Sequence, residues 1–147
     1  MKPIYSFLFA LLLLSCSPKT QTSIAELLVD SSSIAGKSAY LQSPYVTAGN
    51  RVYMVGHQDG SFPNLGWHIK GEMGGIWNHP IKLMDGFDAH LSLDGDMLQL
   101  NKASGFVNYP MANKHGFSWP SKNITIERWQ FVPDDQQGIL VQFIIKN

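Results

Sequence analysis

From Ala39 onward apolar and polar side chains alternate with a period of two, the pattern of strands that bury one face. Arg51-Val52-Tyr53-Met54-Val55 reads as a short strand. Phe87 to Leu93 alternates in the same way, Asp94-Gly95 supplies a tight hairpin turn, and Met97-Leu98-Gln99-Leu100 is the return strand. A longer strand runs from Ile124 to Val132. Pro133-Asp134-Asp135 begins a turn that closes by Gly138, and Ile139 to Ile145 forms the partner. Beyond residue 37 no helical apolar stripe occurs. Short strands punctuated by Gly, Pro, Asn and Asp predict an all-β fold, an antiparallel β-sandwich over residues 38–147.

The stretch Ile139 to Ile145 is apolar on both faces except at Gln142. A strand of that kind wants a neighbour on each side and cover above and below. On a sheet edge it would invite aggregation. Two solutions are open: a central place in the sheet, or an architecture that continues past Asn147.

The first residues follow a different pattern. Lys2 gives a positive start, Ile4 to Leu14 is almost wholly apolar, and Ser15-Cys16 ends the run. This predicts a secretory signal over residues 1–15, too short for a comfortable membrane span. The tetrad Leu13-Leu14-Ser15-Cys16 looks like a bacterial lipobox, with lipid carried on Cys16. Cys16 is the only cysteine, so lipidation would exclude disulfides and thiol chemistry. The expected product is an exported lipoprotein, anchored to a membrane and facing the periplasm or cell surface. Residues 16–37 then read as a lipid-anchored tether rich in Ser and Thr. Within it, Ile24 to Val29 is either a short helix capped by Thr22 or Ser23, or an extended docking segment.

Charge narrows the partners. Eleven Lys and Arg balance eleven Asp and Glu. Losing Lys2 with the signal leaves the mature chain slightly acidic, with no electrostatic footprint for nucleic acid. No P-loop, dinucleotide fingerprint or G-x-S-x-G motif is present, and no cofactor is predicted.

Candidate chemistry collects between Tyr45 and Phe87. Eight of the thirteen glycines lie between Gly49 and Gly86, with Trp67, Trp77 and three histidines. So loop-dense a sequence is costly to order, which suggests that it shapes a surface. Trp67 and Trp77 offer either sugar-stacking faces or packing under long loops. Asp59, Asp85 and Asp94 each precede a glycine and are explained by turn chemistry. Glu72, between glycines in Gly71-Glu72-Met73-Gly74-Gly75, has no such local role and is the best single candidate for a functional acid. His57, His68, His79 and His90 recur every eleven residues, but their contexts share nothing else, and no metal site is predicted. The candidate carbohydrate-binding set is Trp67, His68, Glu72, Trp77 and His79.

The segment GNRVYMVGHQDGSFPNLGWHIKGEMGGIWNHPIKLMDGF resembles the N-terminal part of bacterial glycogen-debranching-like proteins, a group of six-hairpin (α/α) barrel glycosidases. The likeness continues through FVNYPMANKHGFSW and ITIERWQFVPDDQQGILVQFIIKN. The resemblance implies a β-sandwich that precedes a helical barrel, and the barrel carries the catalytic carboxylates. No barrel lies in these residues, so no catalytic residue is carried over. The expected partners are carbohydrate or a helical catalytic domain. A stand-alone carbohydrate-binding lipoprotein is the alternative.

Overall fold

A computed structural model describes residues 22–66 and 68–147. The signal segment, Cys16 and Trp67 lie outside the described residues. The chain enters through a single helical turn, α1 (Ile24–Leu27), followed by eleven strands. These are β1 (Ile34–Ala35), β2 (Pro44–Ala48), β3 (Tyr53–His57), β4 (Gly75–Asn78), β5 (Ile81–Met84) and β6 (His90–Leu93). The remainder are β7 (Asp96–Gln99), β8 (Gly105–Tyr109), β9 (Ala112–Trp119), β10 (Ile124–Phe131) and β11 (Leu140–Lys146).

Every strand pairing is antiparallel. One sheet has the order β1-β8-β9-β10-β11, a second the order β2-β3-β4-β5, and β6 and β7 form a separate hairpin. The sheets pack face to face, as the all-β sandwich reading requires. Tyr45, Met54 and Ile76 from the four-stranded sheet meet Phe106 of β8 and Val132 just past β10 in one core cluster. The hairpin closes the other end of the five-stranded sheet, where Leu91 and Leu98 pack on Phe117, Ile124 and Ile126.

Strand limits differ from the periodicity in instructive ways. Arg51 and Val52 belong to the turn before β3, since Gly49 N–H donates to the Val52 carbonyl. Phe87, Asp88 and Ala89 precede β6, and Phe87 packs on Phe62 instead of joining the ladder. Gly86, at φ +147°, lies so close to the Phe62 ring that no side chain fits there. The glycine-dense stretch also contains β2, β4 and β5, whose short apolar runs the alternation alone does not isolate.

The patch from Ile24 adopts the helical alternative. Ser23 Oγ accepts the Glu26 N–H at 3.1 Å, and Glu26 Oε2 accepts the Ser23 N–H at 2.8 Å, a complete capping box. Ile24 is buried, and its N–H donates to Gln142 Oε1 of β11 at 2.8 Å. That bond accounts for the one polar residue in the apolar run of the last strand.

β11 itself sits on the edge of the five-stranded sheet. Its register with β10 is unbroken from Leu140 to Lys146. Phe143 is 41% exposed and Ile145 53% exposed, although both share a face with the buried Arg128 and Ile126. Ala89, His90 and Leu91 face them only across a groove.

Candidate functional site

The loop after β3 and the hairpin β4–β5 bring three of the sequence candidates into one neighbourhood. Glu72 Oε1 accepts the His68 N–H at 2.8 Å, which closes the loop on itself. Lys82 Nζ donates to the Gly71 carbonyl at 2.7 Å and ties that loop to β5. Trp77 Nε1 donates to the Gly74 carbonyl at 3.0 Å.

On the outer face of the four-stranded sheet, Tyr53, Trp77 and Lys82 stand in direct cross-strand register. The Tyr53 and Trp77 rings are parallel within 6°, with centroids 6.2 Å apart. Lys82 Nζ lies 5.6 Å from the indole centroid. Because β4 lies between β3 and β5, phenol and ammonium flank the indole from opposite sides. Sheet geometry thus builds an aromatic and cationic ladder, half-buried, beside the loop of His68 and Glu72. His79 is exposed in the β4–β5 turn, two residues past Trp77 and joined to Pro80 by a cis peptide.

The remaining polar candidates have structural partners. Asp59 accepts from Ser61 N–H at 2.9 Å and from Ser61 Oγ at 2.6 Å. Asp85 forms an ion pair with Lys82. Among the described residues no cluster of three or more His, Cys, Asp or Glu is placed to hold a metal ion.

The interior contains a polar group that the period-two reading did not single out. Arg128 of β10 has no exposed surface. Its Nη1 donates to the Leu100 carbonyl at 3.2 Å and its Nη2 to the Gly60 carbonyl at 2.9 Å. The guanidinium carbon lies 5.3 Å from the Phe87 ring centroid and 5.6 Å from that of Phe117. Weak hydration and a planar shape suit Arg to such a cage. Burial lowers its pKa, and the nearby Tyr45 and Asp59 oppose the fall. Gly60, at φ +91°, admits the guanidinium at a distance that no side chain would allow.

Around this cation the two sheets exchange hydrogen bonds. Tyr45 Oη donates to Gln130 Oε1 at 2.9 Å, and Asn113 Nδ2 donates to Thr47 Oγ1 at 2.6 Å. Burial pushes the Tyr45 hydroxyl well above its ordinary value. His115 is packed against Tyr45 and Phe106, and its Nε2 reaches the His57 carbonyl at 3.3 Å. Burial, reinforced by Arg128, pushes its imidazole down to about 3.

A sequence signal for this group existed. Arg128 and Gln130 share parity with Ile124, Ile126 and Val132, so alternation places them on the inward face. These residues are locked by packing, aromatic contacts and carbonyl bonds, which makes them a polar brace of the sandwich. The half-buried ladder and its loop are the accessible candidate. Comparison of the chain with protein-family models, curated proteins and solved structures gives no match.

Proposed function

We propose that this chain is the non-catalytic β-sandwich module of an exported, glycan-acting lipoprotein of the glycogen-debranching-like kind, anchored through Cys16. The observation that carries the reading is the division of polar groups between interior and surface. Interior polar side chains are engaged in bracing the two sheets, and Asp59 and Asp85 serve a turn and an ion pair. What remains accessible is an aromatic and carboxylate surface suited to contact with sugar hydroxyls and ring faces. On this reading hydrolysis belongs to a helical partner domain.

The ladder of Tyr53, Trp77 and Lys82 also favours the second reading, a stand-alone carbohydrate-binding lipoprotein. Both flanks of the indole are occupied by the chain itself, so a sugar would meet the edges of the ladder and the adjoining loop of His68 and Glu72. Titration calorimetry with α-glucan oligosaccharides, combined with a reducing-end assay, separates the possibilities. Saturable binding lost in Trp77→Ala, without turnover, supports the second reading. Absence of both binding and turnover agrees with a module that needs its partner. Enzyme-like turnover by this polypeptide alone overturns both.

A further inference from the structure

The sheet edges of this molecule are not treated alike. The five-stranded sheet ends on one side in β1, a strand of only two residues. The four-stranded sheet ends in β2, which begins with Pro44, and in β5, which has four residues and a register break against its neighbour. Short length, edge proline and bulges are the devices by which sheets discourage further pairing. β11 has none of them. It has seven residues, no proline, an unbroken register, and Lys146 as its only charge.

A groove of about 420 Å³ runs beneath this edge, lined by Phe143 and Ile145 on one side and by Ala89, His90 and Leu91 on the other. Among the described residues no strand pairs with the outer side of β11, and an apolar groove beside such an edge suits an extended strand with apolar side chains on one face. The charge distribution along β11 indicates which one. Asp134 and Asp135 lie in the turn at its Leu140 end and are exposed, and neither is in an ion pair among the described residues. Lys146, at the opposite end, is exposed and reaches Glu127 only at 3.9 Å. A strand entered from an acidic turn, whose two aspartates are hydrogen-bonded to Asn50, and ending in a lysine is complementary to its own antiparallel copy.

We propose that β11 is a self-association edge, in which two copies of this chain pair their β11 strands antiparallel about a two-fold axis at Phe143. In that register Phe143 faces the partner's Phe143, and Val141 faces the partner's Ile145. Gln142 faces the partner's Ile144. Leu140 faces the partner's Lys146, which comes to the end of the strand beside the Asp134–Asp135 turn. No like charges are opposed. Two five-stranded sheets become one continuous sheet, and the groove of each copy is closed by the inward face of the other strand. The contact is isologous, so it closes at two copies and does not propagate. It stands independently of the glycan reading, since it rests only on the edge, the groove and the charges.

The test is sedimentation velocity of the full chain, with Phe143→Lys and, separately, Val141→Lys as variants. The expected result is a concentration-dependent dimer for the parent chain and a monomer for both variants, with unchanged far-ultraviolet spectra. Cysteine cross-linking fixes the register. In full-length Cys16→Ser, Phe143→Cys should form a disulfide-linked dimer on mild oxidation, whereas Ile145→Cys should not. A parent chain that stays monomeric, because the edge is bare or takes another protein, overturns the proposal. So does a dimer that survives both lysine variants, or cross-linking equally efficient at both cysteine positions.

Discussion

Arg128 and His115 face each other across β10 and β9 as direct register partners, and neither has any exposed surface. A permanent cation thus stands beside an imidazole in the centre of the sandwich. The arrangement holds because two backbone carbonyls accept from the guanidinium Nη1 and Nη2 and two aromatic rings lie against it, while His115 remains neutral. A second positive charge at that position would stand beside the guanidinium with no solvent to stabilise it.

This pair sets a pH dependence. The folded His115 value of about 3 lies below the ordinary 6.5, so the unfolded chain binds the proton more readily. Its contribution to stability is fully present above pH 6.5 and is lost as pH falls toward 3. Between those values stability falls with pH by on the order of 1 kcal/mol per pH step from this group. Urea unfolding at a series of pH values should show this acid limb, and His115→Gln should flatten it. An acid limb identical in parent and variant would contradict the account.

Arg128 braces three separate segments, the turn at Gly60, the end of the β6–β7 hairpin at Leu100, and β10 itself. Arg128→Ala leaves two buried carbonyls without donors and opens a cavity, at a cost of about 3–5 kcal/mol. Arg128→Lys keeps the charge but cannot reach both carbonyls with one fork, and should cost about 2 kcal/mol. Denaturant midpoints of the two variants should fall in that order.

Tyr45→Phe removes the hydroxyl that Gln130 Oε1 accepts in the interior. An orphaned buried acceptor costs about 1–3 kcal/mol. Adding Gln130→Leu, which removes the orphan, should recover part of the loss. Thermal melts of both single variants and the double variant check this coupling.

The entry turn is held by its cap and by β11. Ser23→Ala should cost about 1 kcal/mol of local stability by removing the acceptor for the Glu26 N–H. Gln142→Leu should release the Ile24 N–H. Faster amide exchange at Ile24 and Glu26, with core amides unchanged, is the expected signature.

At the ladder, Lys82→Met removes the bond to the Gly71 carbonyl and the cation beside the indole. The loop of His68 and Glu72 should loosen while the sandwich stays intact. Proteolytic cutting between residues 64 and 74 should then accelerate, with little change in the midpoint of global unfolding.

Much of the architecture could be read from alternation alone, because a strand that buries one face must write that face into every second residue. The hairpin at Asp94-Gly95, the pairing of β10 with β11 and the all-β class all follow from that rule. Six further strands, β1, β2, β4, β5, β8 and β9, stay hidden in segments too short or too mixed in composition to show a clear alternation. There burial is decided by neighbours distant in sequence, and the pattern cannot show them. His115 and Asn113 look like surface residues until the opposing sheet is in place to bury them.

Local chemistry and a two-residue repeat set the inside and outside of the long strands and the turns between them, so these are legible in the chain alone. That Arg128 lies between two phenylalanines, Trp77 between Tyr53 and Lys82, and β11 on an edge follows from the folded arrangement and from nothing local. Those are relations among segments far apart in the chain, fixed by which sheet edges meet and how far one layer extends over the other.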